Sequence, residues 1–323
     1  MCGGSLVTRI LLVVAATVGV AHAAPYPEKP IRFVVAFAAG GSIDLLARLF
    51  AHKLTENLGQ QVVIDNRPGA GGNLSAEITA RSAPDGYTIY ICAPSLVVNA
   101  TLYTKIAYDP IRDFAPVTLL ASVQNVLVAY PGFAAKSVKE LIALATSKPG
   151  QINYASTGSG SSGHLVMEMF RSQAGITLTH VPYKTIGQTT ADLISGQVSL
   201  WFPTIPGALP HIKGGRMRAL AVAGAKRSPA LAEIPTVAEA AALPGFDATT
   251  WYAVLTPVGT PKQITTKLNT EFLRVLRLPE VQERLAAQGV ESIGSTPEQL
   301  ASHLRSELPK WARVVKAAGV RAD

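Results

Sequence analysis

In the stretch NYASTGSGSSGH, residues 153–164, Gly158, Gly160 and Gly163 stand at the G-x-G-x-x-G spacing of a dinucleotide-binding turn. Glycines so spaced let a chain turn sharply after a strand and leave backbone N–H groups unpaired at the start of a helix. There the free donors and the helix dipole attract an anion. Ser156, Thr157, Ser159 and Ser161 add hydroxyls around the same turn. A second stretch of similar make-up, running from Phe37 through Ala38, Ala39, Gly40 and Gly41 to Ser42, precedes another helical pattern that carries Asp44 in its first turn.

A nucleotide site requires more than glycines. An acidic residue about 20 positions on must hold the ribose hydroxyls. Here the following strand, LTHVPYK, ends in Tyr183 and Lys184, and the first acid beyond Glu168 is Asp192, inside the next helical segment. No nucleotide, and no other cofactor, is expected. The remaining chemistry is the grip of two helix starts on a small carboxylate. Micromolar binding needs roughly 8 kcal/mol. A partly buried helix end offers up to ~2 kcal/mol, and each hydrogen bond to a charged group about 1.5–3 kcal/mol. Several amides and hydroxyls reach that range together without an arginine.

Catalytic patterns are weak. The six histidines are scattered, no pair has metal-ligand spacing, and no G-x-S-x-G elbow occurs. Ser159, Ser161 and Ser162 lie near His164, but a hydroxyl near a histidine does not by itself make a nucleophile.

The elements that must hold these loops read as alternating strands and helices. IRFVVAF is a continuous apolar run suited to a doubly covered strand. IDLLARLFAHKLTENLG follows with helical spacing and a terminal Gly59. QVVIDN, the turn RPGAGGN, the helix LSAEITARSA and the strand YTIYICA come next. The pattern restarts near residue 124 with QNVLVAY, a helix opened by Ser137 and Glu140, INYAS, the glycine loop and its helix, LTHVPY, TTADLISG and VSLWF. Alternation of this kind predicts parallel sheets with crossover helices. After GGRMRALAVAG the pattern turns to loops and short helices. Thr260 and Thr296 stand at capping spacing ahead of two tail helices, the second with Leu300, Leu304, Leu308, Trp311 and Val315 on one face and a bend expected at Pro309.

Two α/β lobes are therefore expected, each opening with a strand, a glycine loop and a helix. The second is inserted into the first, with chain crossings near 120–126 and 217–224. Residues 24–122 and 219–323 make lobe 1 and residues 123–218 make lobe 2. A single doubly wound sheet is the alternative. Upstream, Arg9, the apolar run ILLVVAATVGVA and the small residues of AHA have the layout of a signal peptide, residues 1–23, cleaved after Ala23. Beyond it no stretch is long and apolar enough to span a bilayer. Cys92 then stands alone, so it is read as a small buried hydrophobe. The net charge of +8 comes from basic residues scattered singly, with no aromatic-basic stripe, so nucleic acid is not an expected partner.

YPEKPIRFVVAFAAGGSIDLLAR, VVIDNRPGAGGNLSAE, APDGYTIYICAPS, INYASTGSGSSGHL and GRMRALAVAG, in that order, resemble the Bug-type periplasmic substrate-binding proteins, the receptors of tripartite tricarboxylate transporters. The resemblance runs from about residue 25 to the C-terminus. It implies the periplasmic-binding-protein (Venus flytrap) fold, a monomer that closes on a small organic anion, delivery to membrane permease subunits, a periplasmic location and no catalysis. It places the ligand between Phe37, Ala39, Gly40, Gly41, Ser42 and Asp44 on one lobe and Ser156, Thr157, Gly158, Ser159, Gly160 and Ser161 on the other. Tyr183 and Lys184 match the family corner VPYK. His164 either reaches the ligand or braces its loop, and Asp44 either meets a ligand hydroxyl or amine or favours its helix start. The chain departs from the family at Ala36, usually proline, at Ile43, at TIGQ with its single Gly187, and at Ser199, so ligand identity is not carried over. A secreted enzyme and a ligand sensor for a membrane kinase are the competing functions.

Overall fold

The computed structural model describes residues 26–319. The expected signal peptide lies outside the described residues. In chain order the elements are β1 (Ile31–Val35), α1 (Ser42–Leu58), β2 (Val62–Asn66), α2 (Asn73–Ala80), β3 (Thr88–Cys92), α3 (Ser95–Leu102), β4 (Phe114–Val123), β5 (Val126–Ala129), α4 (Val138–Ser147), β6 (Asn153–Ser156), α5 (Ser162–Ala174), β7 (Thr179–Pro182), α6 (Ile186–Ile194), β8 (Leu200–Trp201), α7 (Ile205–Lys213), β9 (Arg218–Val222), α8 (Val237–Ala241), β10 (Thr250–Pro257), α9 (Lys262–Leu276), α10 (Pro279–Ala287), β11 (Val290–Ser292) and α11 (Pro297–Ala318).

Two sheets result. The first has six strands in the order β11-β4-β10-β3-β1-β2, and the second five in the order β7-β6-β8-β5-β9. The strands feeding the two glycine loops sit alike. β1 lies between β2 and β3 and is parallel to both, with Phe33 opposite Ile64 and Ile89. β6 lies between β7 and β8 and is parallel to both. Each loop thus leaves the carboxyl end of an interior strand, where open α/β sheets form their ligand crevices. The sheets are mixed rather than parallel, which corrects the sequence expectation. β10 runs antiparallel to β3 and β4, and β5 antiparallel to β8 and β9. β10 is fully buried along its length, and its residues show no alternation that would mark it as a strand.

Three apolar cores back these sheets. On the first, Phe33 meets Phe272 edge-on at 5.9 Å, and Phe50 packs on the same ring at 5.6 Å. Cys92 is buried among them as expected, and burial pushes its thiol up. Gly59 ends α1 in the left-handed conformation. Thr296 caps α11 in a full capping box, but Thr260 does not cap α9: its hydroxyl donates back to Pro257 O at 2.7 Å. α11 runs on through Pro309 as one helix.

The return crossing differs from its expected position at 217–224. β9 pairs with β5, α8 packs beside α4, and Phe246 and Ala248 belong to the second sheet's core. The chain returns to the first sheet only at Thr250. The two connecting segments are tied together by Asn125, fully buried, whose side chain accepts from Thr250 Oγ1 at 2.8 Å and donates to Phe202 O at 2.7 Å. Just beyond, the Trp251 and Trp311 indoles both donate to Glu307 at 2.8 Å, pinning β10 to α11.

Candidate functional site

Between the sheets lies a cavity of about 510 Å³. Its walls come from both sides: the loop ending β1, the turn Gly69–Gly72 and the start of α3 from the first, and the loop ending β6, residues 201–204 and Lys184 from the second. The helices that begin on this wall share a feature. α1, α2, α3, α5 and α7 all start there without a side-chain cap. By contrast α4, α8 and α11, whose starts lie elsewhere, are capped by Ser137, Thr236 and Thr296. Only α6 combines a capped start with a place on the wall, and α9 and α10 are uncapped away from it. An uncapped start leaves first-turn amides free to meet a ligand and aims the positive end of the helix dipole at it.

On the first loop Phe37, Gly40, Gly41 and Ser42 line the cavity, while Ala39 points to solvent. Gly40, at φ +87°, turns its amide back onto Asp44 Oδ2 at 2.9 Å. Arg48 Nε donates to the same oxygen at 2.9 Å, and Asn66 Nδ2 to Oδ1 at 3.0 Å. Burial pushes the Asp44 carboxyl up, but hydrogen bonds from Arg48, the Gly40 amide and Asn66, with the Arg48 charge, more than offset it and hold it below its ordinary value. Asp44 is buried behind the loop and off the cavity wall, so it braces the loop. Ser42 Oγ lies 2.9 Å from both Thr204 Oγ1 and Tyr252 Oη, which joins α1 to the segment after β8 and explains why Thr204 does not cap α7. Burial pushes the Tyr252 phenol up to about 12.

On the second loop Thr157, Gly158, Ser159 and Ser161 line the cavity, and Ser156 and Gly160 lie behind. Gly160 N donates to His164 Nδ1 at 3.1 Å, so His164 is a brace and not a wall residue. Its ring stacks on His180 at 4.3 Å, and His180 stacks on Tyr154 at 4.9 Å. Ser156 Oγ meets His180 Nε2 at 2.6 Å. Below, Tyr154 Oη donates to Glu168, which Arg171 also holds at 2.7 Å. Burial, then the neighbouring His180 and Arg171, lower His164 to about 3. Burial and Arg171 lower His180 to about 4. Both rings are therefore neutral at ordinary pH. Ser161 sits at the start of α5, 3% exposed, and its hydroxyl has no hydrogen-bond partner. Tyr183 is off the wall: its amide donates to Ser156 O at 2.9 Å and its ring packs on the core under β5 and β8.

Sequence reasoning missed half of the wall. Pro68 to Gly72, Ala93 to Ser95, Tyr103, Ile186, Trp201 to Thr204, Thr250 and Tyr252 also line the cavity. The run RPGAGG did carry a signal, since four successive residues from Gly69 to Gly72 have positive φ. Gly71 comes so close to Ser159 O of the other side that an added Cβ would lie 3.0 Å from it. The cavity's larger apolar members include Phe37, Ile43, Leu165, Ile186, Trp201 and Phe202; its only ionisable chain besides tyrosine is exposed Lys184. Among the described residues no cluster of His, Cys, Asp and Glu is placed to hold a metal.

The profile of the family described as "Tripartite tricarboxylate transporter family receptor" matches residues 46–320. The protein BugT of Bordetella pertussis is 38% identical over 322 residues, covering 97% of this chain and 98% of that protein. An R. palustris protein solved with adipate is 38% identical with a TM-score of 0.87, covering 92% of this chain and 99% of that one. The periplasmic binding protein BugD is 33% identical with a TM-score of 0.86, covering 92% and 100%. The fold is accordingly the two-lobed architecture of periplasmic binding proteins, the Venus flytrap. Matched over most of its length by both profile and relatives, this chain belongs to the tripartite tricarboxylate transporter receptor family.

Proposed function

We propose that this chain is an exported receptor that closes its two lobes on a small carboxylate and hands it to permease subunits in the cytoplasmic membrane. Among the described residues, 26–124 and 250–319 form one lobe and 125–249 the other, with Asn125 and Thr250 at the hinge. Segment 1–23 directs export to the periplasm and is removed there.

The observation that carries this reading is the gathering of uncapped helix starts on one cavity, with the Ser161 hydroxyl unpartnered beside them. Buried polar groups are normally hydrogen-bonded, and an orphan donor on a cavity wall marks a place for a ligand. The carboxylate is held by first-turn amides of α1 and α5 and by Ser161. Closure joins Ser42 to Thr204 and brings Gly71 against Ser159. The adipate-bound relative is consistent with such a ligand. Catalysis is not part of this reading: the wall offers hydroxyls but no His, Asp, Glu or Cys beside them to act as base or nucleophile partner.

A thermal-shift screen of mono-, di- and tricarboxylates against the mature chain tests it. Ligand linkage raises Tm for a bound acid, and Ser161→Ala should lower that gain without lowering the unliganded Tm. A screen in which no carboxylate shifts Tm, or in which Ser161→Ala responds like the parent, would contradict it.

A further inference from the structure

We infer that the cavity excludes ligands bearing a positive charge, so that the receptor takes carboxylates with an uncharged body and rejects their amino counterparts. This rests on the carboxylate reading above and narrows it.

The potential inside the cavity is set by what faces it. Five helix starts present the positive ends of their dipoles, and the one formally charged wall residue, Lys184, is a cation. No Asp or Glu lines the cavity. The first acid on each of the two helices that open from the glycine loops, Asp44 and Glu168, is already committed elsewhere. Asp44 takes the Gly40 amide, Arg48 and Asn66 behind the first loop, and Glu168 takes Tyr154 and Arg171 beneath the second. Neither can turn to a ligand without giving up these bonds, and in the case of Glu168 that would leave the buried Tyr154 hydroxyl bare. His164 and His180 have their loop-side nitrogens engaged by Gly160 and Ser156, so they offer no acceptor on the wall. An ammonium enclosed here would lose its hydration and sit in a positive field, and would meet hydroxyls, carbonyls and aromatic faces but no carboxylate in exchange. An apolar body, by contrast, meets Phe37, Tyr103, Leu165 and Trp201.

Matched trios test this by calorimetry on the mature chain: glutarate, 2-hydroxyglutarate and glutamate, and alongside them 3-phenylpropanoate, 2-hydroxy-3-phenylpropanoate and phenylalanine. Within each trio the substituent at C2 stays small, and the amine alone adds charge. In at least one trio the unsubstituted acid should bind, the hydroxy acid should follow it within a few-fold, and the amino acid should be weaker by about tenfold or more. An amino acid that binds as tightly as its parent acid overturns the inference and leaves the carboxylate reading standing. A hydroxy acid rejected as strongly as the amino acid also overturns it, because the discrimination would then be steric. If no member of either trio bound, this inference about uncharged bodies would be overturned, while the carboxylate reading would stand or fall on the thermal-shift screen.

Discussion

The loop that ends β1 and the loop that ends β6 each turn a glycine amide back onto the side chain four residues on, Gly40 onto Asp44 and Gly160 onto His164. The bracing chemistry differs. The first loop leans on a carboxylate held ionised by Arg48 and Asn66. The second leans on a neutral imidazole held unprotonated by burial within a stack of three rings. Both braces satisfy a loop amide and fix the turn, and neither helix start that follows has a side-chain cap. The difference teaches that the proposed anion site needs loop geometry and not a particular charge behind it: one brace is negative, the other neutral, and neither lines the cavity.

The strongest way to break this symmetry is to block a loop outright. Gly158 and Gly40 have φ of +109° and +87°, conformations that a branched side chain resists. Gly158→Val and Gly40→Val should each weaken ligand binding by about 100-fold or more, read as a lost Tm gain. If one variant bound normally, the two loops would not act as a pair.

Removing the charged brace comes next. Asp44→Ala strands the Gly40 amide, Asn66 and Arg48 and should lower stability by about 2–3 kcal/mol, measured by urea unfolding. Ser161→Ala should reduce affinity roughly tenfold or more at unchanged unliganded stability, because its hydroxyl makes no bond to lose.

Acid should separate the braces most finely. An unfolded histidine binds its proton near pH 6.5, whereas folded His164 stays neutral down to about 3. The unfolded state therefore holds more protons in that window, and this ring alone lowers stability by about 1.4 kcal/mol for each unit that pH drops below 6.5, with His180 adding to the same slope. His164→Gln, whose amide oxygen can still accept from Gly160, should flatten that slope by about one proton. Asp44, lowered from an ordinary 3.8, acts with the same sign but only below about pH 4. An unchanged slope in His164→Gln between pH 6.5 and 4.5 would show that this ring is not held neutral.

The two loops were legible because glycine and hydroxyl runs ahead of amphipathic segments are local signals, and the family motifs sit on the same residues. Their braces were half legible. Asp44 stands in a first turn where acids are common, and its service to Gly40 follows only from the φ of that glycine. His180 reaches Ser156 from 24 residues on, and no sequence period marks that stacking. The rest of the wall is tertiary in origin. Trp201, Phe202 and Tyr252 carry no local signal of a site and come to the cavity through β8 and β10. The crossing was misplaced because β9 continues into a proline- and alanine-rich segment that looks like loop, yet α8 and Phe246 cover the second sheet.

A crystal structure of the mature chain with the carboxylate that gives the largest thermal shift tests the central claim most directly. The account predicts carboxylate oxygens within about 3.2 Å of first-turn amide nitrogens of α1 and α5 and of Ser161 Oγ. A ligand whose carboxylate rests on Lys184, with those amides turned to water, would contradict it.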